Sequence, residues 1–160
     1  MTIDPHPIAG DFNGALYSFL KPLEGFIQKI YTDSVGIPTL GLGYALAERA
    51  GKINGIQQYK LIKTLPADLA AMGVTLTQKD LKLLQDEINV LNSGNLTAAQ
   101  QLIPPASNPT NPFSFTLTGE AQFFPLFNIL VDRATKTVQS AIGSQLFASL
   151  AGSKEMEALL

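Results

Sequence analysis

The sequence predicts an α+β fold that is mainly helical, with a small antiparallel β-sheet near its N-terminus. Three observations predict it. Segments with apolar residues at helical spacing lie before residue 25 and after residue 77. Between them, residues 26–46 contain short β-prone runs broken by glycines. The chain has 160 residues without an internal repeat, which suits one domain with its own core.

The first helix is predicted from an apolar stripe made by Leu16, Phe19, Leu20 and Leu23. Asp11 or Asn13 is expected to cap its N-terminus, and Pro22 to bend or end it near Glu24. The run "FIQKIY" then suits a strand, "TDSVG" a turn, and "IPTLGLGYAL" one or two short strands. These segments together predict a small meander.

Helices are predicted for most of the remaining chain. The segments "LAERAGK" and "QQYKLIKTL" have helical composition, although glycines and a proline divide residues 45–75. The stretch "LTQKDLKLLQDEINVLNSGN" is the clearest helix, since Thr77 and Asp80 form a start like a capping box. "LTAAQQLI" suits a short helix, and the proline-rich "PPASNPTNPFSF" must be a loop. Thr118 is expected to cap a last helical region with breaks at Gly143 and Gly152.

Composition narrows the classes of partner. The net charge is −2 and no basic patch stands out, which argues against nucleic acid. Cysteine is absent, which excludes disulfides and thiolate chemistry. No apolar run approaches the roughly 18 residues of a membrane span. The start "MTIDPHPIAGDF" lacks the features of a Sec-type signal, so we expect synthesis in the cytoplasm and another export route. The lone His6 is interpreted as a solvated tail residue rather than a ligand.

The stretch "LEGFIQKIYTDSVGIPTLGLGY" holds the candidate chemistry. Glu24 stands where a helix gives way to a strand, Asp33 in the first turn, and Thr39 in the next strand. Glycoside hydrolysis uses paired carboxylates, one to protonate the leaving oxygen and one to handle water or the sugar cation. A threonine hydroxyl can help to hold the water, and glycines let a substrate approach the backbone.

Each of these residues also has a purely structural interpretation as a helix end, a turn or a hairpin. Their joint spacing is harder to explain in that way. It reads Glu, eight residues, Asp, two residues, Gly, two residues, Thr, one residue, Gly, one residue, Gly. At roughly 5–7% usage per residue type, chance produces this pattern on the order of once in 10⁵ such chains.

The arrangement resembles the phage-type lysozymes of glycoside hydrolase family 24. Their active site combines a Glu ending the first helix, an Asp in the following turn and a Thr on the next strand, spaced as Glu24, Asp33 and Thr39 are here. "EG…IYTDSVGIPTLGLGY" matches the family's "EG…Y.D..G..T.G.G" pattern, and the resemblance covers about residues 16–47. It extends weakly to "LTQKDLKLLQDEINVLN", which is similar to the helix that links the family's two lobes.

The chain also departs from the family. Tyr44 stands where the family usually has His, so we expect a changed local contact rather than lost catalysis. "LTGEAQFFPLFNIL" is similar to the family's "LT..Q..AL..F.FN.G" helix, with Leu130 at the glycine position. The "PPASNPTNPFSF" loop has no counterpart. The second lobe is therefore expected to be shorter or rebuilt.

The resemblance implies a single lysozyme-like domain over residues 1–160. Its N-terminal lobe with the sheet would cover about residues 11–75, the linking helix about 77–92, and a helical C-terminal lobe about 95–160. The implied activity is that of a muramidase, which cuts the β-1,4 bond between N-acetylmuramic acid and N-acetylglucosamine in peptidoglycan. Neither a metal nor a cofactor is implied.

The resemblance also implies roles for individual residues. Glu24 would be the general acid, Asp33 would hold or activate a water, and Thr39 would help to place it. Candidate substrate-binding residues are Gly41, Tyr44, Phe113 and Phe115. For Arg133, a salt bridge or a surface position is favoured over a place beside the catalytic glutamate.

Two other functions stay open: a lytic transglycosylase, and an inactive lysozyme-fold module that binds peptidoglycan. Retention of Asp33 and Thr39 favours hydrolysis. The expected partners are glycan strands of the cell wall and a delivery domain, secretion machine or immunity protein, with the protein itself a monomer. The pI of about 5.3 favours placement by another domain or machine, in a phage lysis protein or a bacterial effector.

Overall fold

The computed structural model describes residues 10–160, except for the side chain of Glu157, so His6 lies outside the described residues. Small antiparallel sheets near the N-terminus are followed by helices, which confirms the α+β class. Within the described range, no helix is long and apolar enough to cross a membrane.

The first helix, α1 (Phe12–Glu24), begins and ends where its sequence predicts. The Asp11 side chain accepts a hydrogen bond from the N–H of Asn13 at 3.2 Å and so caps the N-terminus. Pro22 lies in the last turn. Gly25 then ends the helix with a positive φ of 72°, although its N–H still donates to the carbonyl of Lys21.

Three short strands form the predicted antiparallel meander: β1 (Ile27–Thr32), β2 (Pro38–Gly41) and β3 (Tyr44–Ala45). Tyr31 lies opposite Thr39 in the β1–β2 register. Ile30 and Leu40 have no exposed surface and pack into the core. One face of the meander is thus fixed by the core, and the cross-strand pair of Tyr31 and Thr39 lies near the candidate site.

Residues 47–61 form a β-hairpin, so the prediction of helix for this region was wrong. Its strands are β4 (Ala47–Ile53) and β5 (Ile56–Leu61). Asn54 and Gly55 form the turn with positive φ values of 49° and 81°, as the tightest hairpin turns require. All of β4 beyond Ala47 is exposed, so the alternation that marks a half-buried strand is missing.

Helices form most of the remaining chain: α2 (Leu65–Ala70), α3 (Gln78–Asn92), α4 (Leu96–Leu102), α5 (Glu120–Ile142), α6 (Ser144–Leu150) and α7 (Lys154–Leu159). The predicted capping box of Thr77 and Asp80 starts α3. Residues 103–119 form a loop that contains the predicted one, residues 104–115. Gly119, not Thr118, is the N-cap of α5. Thr118 instead donates its N–H and hydroxyl to Oε1 of Gln122, at 2.8 and 3.1 Å.

The core lies where the meander, α1 and α5 meet. Buried side chains of α5 pack into the same cluster as those of α1 and the meander: Phe123, Leu126 and Phe127 with Leu16, Tyr17 and Leu40. Burial of a large apolar side chain contributes about 1.5–3 kcal/mol. This packing fixes the end of α1 relative to the meander, and so fixes the two parts of the sequence motif relative to each other.

Candidate active site

Glu24 is the last residue of α1, and its side chain is exposed. The carboxylate extends toward the turn between β2 and β3. A Cβ built on Gly43 in that turn would lie 3.6 Å from Glu24 Oε2. The end of the helix and the end of the sheet therefore meet at the glutamate.

Asp33 occupies the turn between β1 and β2, and the backbone of that turn holds its carboxylate. Oδ1 accepts hydrogen bonds from the N–H groups of Val35 at 2.9 Å and Ile37 at 2.8 Å. The Asp33 N–H donates to the carbonyl of Ile37 at 3.0 Å and closes the same turn. Among residues 10–160, none donates to Oδ2. One oxygen is therefore fixed, and the other can accept a hydrogen bond from a ligand or water.

Thr39 is almost fully buried, with 4% of its surface exposed. Its hydroxyl donates to the carbonyl of Ile37 at 3.0 Å. Since a hydroxyl has a single proton, the oxygen of Thr39 can act toward a water only as an acceptor.

Tyr31 connects the two carboxylates electrostatically. Burial raises the pKa of its hydroxyl above the usual 10, and the negative charges of Asp33 and Glu24 raise the pKa further. The phenol therefore stays protonated and able to donate a hydrogen bond. No role was predicted for Tyr31, although it is the tyrosine of the "IYTD" run.

A groove of about 440 Å³ opens beside Asp33. One wall is formed by residues 31–34, and the other by residues at the end of α4 and the start of the following loop: Gln100, Pro105, Ala106 and Ser107. The proline-rich loop therefore provides a wall of the groove next to Asp33.

The loop is attached to the outer edge of β1. Two backbone hydrogen bonds join them, from Thr32 N–H to Pro104 O at 3.2 Å and from Leu117 N–H to Gln28 O at 2.7 Å. Between these points, Lys29 Nζ donates to the carbonyls of Asn108 and Thr110. A second groove, of about 510 Å³, lies where residues 26–29 face the loop, at Pro109, Asn111 and Thr116.

The four predicted substrate-binding residues lie mostly in packed positions. Gly41 has a positive φ of 65°, and a Cβ there would overlap the ring of Phe123. Tyr44 is 6% exposed and Phe113 is 7% exposed. Phe115 is half-buried against the core, with its ring centroid 6.3 Å from that of Phe113. Asp33 and Thr39 lie at the β1–β2 turn and the start of β2, whereas the Glu24 carboxylate faces the β2–β3 turn at the other end of β2. None of the four predicted substrate-binding residues contacts these three residues through a side-chain hydrogen bond in the described part of the chain.

Asp68 is a buried carboxylate for which the sequence predicted no role. Its side chain is 1% exposed and pairs with both terminal nitrogens of Arg133, at 2.8 and 2.6 Å. Tyr44 and Thr64 donate their hydroxyls to Oδ2, at 2.7 and 2.8 Å. Burial alone would raise the pKa of Asp68, but hydrogen bonds from Arg133, Tyr44 and Thr64 outweigh that effect and lower it.

This cluster accounts for two of the predicted features. The salt bridge that was favoured for Arg133 is confirmed. The changed contact expected at Tyr44 is its hydrogen bond to Asp68. The short helix "LPADLA" has one polar residue, and its sequence does not show that this acid is buried, because its charged partner comes from α5.

In the described part of the chain, no group of three His, Cys, Asp or Glu side chains is arranged to hold a metal ion. Comparison with protein-family models, with curated proteins and with solved structures finds no significant match to this chain.

Proposed function

We propose that the protein is a peptidoglycan hydrolase of the lysozyme type, which cleaves the β-1,4 bond between N-acetylmuramic acid and N-acetylglucosamine. The observation that carries the proposal is the position of Asp33 at the edge of a groove, where two backbone N–H groups fix one of its carboxylate oxygens. Glu24, the second carboxylate of the proposal, ends α1, and the packing of α1 into the core fixes its position relative to the meander. Two carboxylates, one of which lines a groove, suit an inverting glycoside hydrolase.

In this proposal Glu24 is the general acid. Its exposed carboxyl, at the end of α1, is accessible to the oxygen of a glycosidic bond. It donates its proton to that oxygen as the bond to the sugar's anomeric carbon breaks.

Asp33 and Thr39 act on the attacking water. Two backbone amides fix one oxygen of Asp33, so the other oxygen has a defined position from which to accept a proton from the water. The Thr39 oxygen is a second acceptor. The water attacks the anomeric carbon from the face opposite the leaving oxygen and inverts its configuration, for which enzymes hold the carboxyls roughly 6.5–9.5 Å apart.

The same proposal places the activity at the cell wall. The acidic pI, about 5.3, gives little attraction to an anionic wall, so delivery by another domain or a secretion machine fits the charge. An immunity protein would be the matching partner in the producing cell if the protein is a bacterial effector.

Glu24→Gln tests the proposal, because the amide has the same shape and cannot donate a proton to the leaving oxygen. Wild-type protein incubated with purified peptidoglycan should release muropeptides with reducing ends, identified by mass spectrometry. The variant should be about 10²–10⁴-fold slower. Glu48→Gln is the matched control, since Glu48 is an exposed glutamate on β4.

The products also separate the alternative functions. Anhydro-muropeptides would identify a lytic transglycosylase in place of a hydrolase. Binding to peptidoglycan without any cleavage would identify a glycan-binding module. Equal activity of wild type and Glu24→Gln would contradict the assignment of the general acid.

A further inference from the structure

Glu87 is an acid on α3 with no exposed surface. Its Oε1 lies 2.8 Å from Oγ1 of Thr32, the last residue of β1. Within the described residues its Oε2 has no hydrogen-bond partner. An ionised carboxylate in such a place would be left with one buried, unpaired oxygen, which strongly disfavours the charged form.

The number of protons available at Thr32 leads to the same conclusion. The hydroxyl of Thr32 lies 2.5 Å from the carbonyl of Ile103 as well as 2.8 Å from Glu87 Oε1. It has one proton, so it can donate to only one of these acceptors. A protonated Glu87 removes the conflict, because it donates to Thr32 while Thr32 donates to Ile103. Burial raises the pKa of Glu87 to about 8. The hydrogen bond with Thr32 opposes the rise in part, and the charge of Asp33 adds to it.

Asp33 is the charge to which Glu87 is coupled. Helix α4 has no charged residue, and the one charge of β5, Lys60, belongs to an exposed ion pair. On α3 itself, Asp86 is paired at the surface. On β1, Lys29 bonds to loop carbonyls. Asp80, two turns earlier on α3, is held by Thr77 and Ser114, and Lys82 is the surface partner of Asp86. Of the charges described around Glu87, Asp33 is the one that acts on its pKa.

We propose that Glu87 is a positioning residue for Asp33, a role that rests on the proposed function. As a neutral acid it donates to Thr32 and so fixes the last residue of β1 against Ile103. Asp33 follows directly, and the turn that begins there supplies the two N–H groups that hold its carboxylate. Ionisation of Glu87 removes the donated proton and places a second negative charge behind Asp33, which shifts the turn.

A titration followed by NMR tests this without any assay of activity. The amide signals of Val35 and Ile37 should shift with a midpoint near pH 8 in the wild type, and lose that transition in Glu87→Gln. Asp86→Asn, a change at the adjacent exposed acid, should keep it. A wild type without the transition, or a Glu87→Gln variant that retains it, would overturn the proposal.

A second variant keeps the test decisive if Glu87→Gln does not fold. Thr32→Val removes the hydroxyl through which Glu87 acts. The Glu87 carboxyl, observed by carbon NMR, should still titrate, while the amides of Val35 and Ile37 should no longer follow it. Amides that still follow the carboxyl in this variant would contradict action through Thr32.

The pH profile of peptidoglycan cleavage extends the test to function. At pH 9, one unit above the midpoint, wild type and Asp86→Asn should lose about tenfold more rate than Glu87→Gln, because any loss that comes from the general acid is common to all three proteins. An unchanged alkaline loss in Glu87→Gln would refute the positioning role and leave the hydrolase intact. If the amides of Val35 and Ile37 show the transition that depends on Glu87 but peptidoglycan is not cleaved at any pH, the proposed hydrolase activity is refuted. The coupling between Glu87 and the Asp33 turn would then still stand.

Discussion

Asp68 holds three elements together through a single carboxylate. It belongs to α2, its guanidinium partner Arg133 belongs to α5, and Tyr44 belongs to β3. The acid is buried, whereas the arginine side chain is 43% exposed, so solvent weakens the pair from one side only. Loss of the arginine would leave a buried carboxylate that is held by two hydroxyls alone.

Arg133→Met should therefore lower the free energy of unfolding by about 2 kcal/mol at pH 7, less than for a fully buried pair. The folded-state pKa of Asp68 is lowered, so its contribution is complete above the unfolded value, about 3.9, and is lost as pH falls through the folded value. Urea denaturation should show a smaller difference in free energy of unfolding between the wild type and Arg133→Met at pH 3 than at pH 7. Lys82→Met, which breaks an exposed pair, should cost under about 0.5 kcal/mol.

The sequence was informative at single residues where spacing carried the signal. The helix end at Glu24, the turn at Asp33 and the strand position of Thr39 could be predicted because each depends on residues close in the chain. Asp68 and Glu87 could not be predicted in the same way. Their partners come from elements distant in sequence, α5 for Asp68 and β1 for Glu87.

At the scale of elements, the β4–β5 hairpin lies where the sequence predicted helix. Its exposed first strand has good helix formers and no alternation, so composition favoured a helix. The Asn54-Gly55 pair was the available signal, since this dipeptide favours a two-residue hairpin turn. The hairpin is also held by a distant contact, because the amide of Asn92 pairs with the N–H and carbonyl of Tyr59, at 2.7 and 2.9 Å.

Asn92→Ala should consequently lower the free energy of local opening of the β4–β5 hairpin and leave that of the other elements unchanged. It removes both partners of the Tyr59 backbone, at a cost of about 1–3 kcal/mol in the local opening of β5. Hydrogen exchange should show faster exchange at the Tyr59 amide, with little change at Leu84 in the middle of α3. Gln85→Ala, on an exposed side of the same helix, is the control and should leave Tyr59 protected. Equal exchange at Tyr59 in both variants would show that packing alone holds the strand.

At the scale of the whole molecule, the dependence of stability on pH is set by buried acids whose pKa values are shifted in opposite directions. Asp68 and Asp80 have lowered folded-state pKa values, because hydrogen bonds outweigh their burial, and they destabilise the fold when acid protonates them. Glu87 is the reverse case. Its pKa rises from 4.5 to about 8, so its contribution is complete below the unfolded value and is lost as pH rises through the folded value.

The wild type should accordingly be most stable near pH 5. Below this pH the stabilising charges of Asp68 and Asp80 begin to be lost, and above it the contribution of Glu87 decreases. Between pH 5 and 8, Glu87 should lower the free energy of unfolding by about 1.4 kcal/mol per pH unit. Urea denaturation at pH 5, 6.5 and 8 measures this slope, and Glu87→Gln should flatten it. A variant with the same slope as the wild type would mean that Glu87 is ionised in the folded protein.

The attachment of residues 103–119 along β1 has a consequence for how separate copies of the chain meet. An uncovered edge strand exposes N–H and carbonyl groups that pair readily with another chain, and that pairing is a common start of aggregation. Here the loop occupies the edge at Gln28 and Thr32, and the prolines within it cannot extend the pairing outward. The loop that forms a wall of the groove therefore also prevents β1, the strand that leads to Asp33, from pairing with an edge strand of another copy.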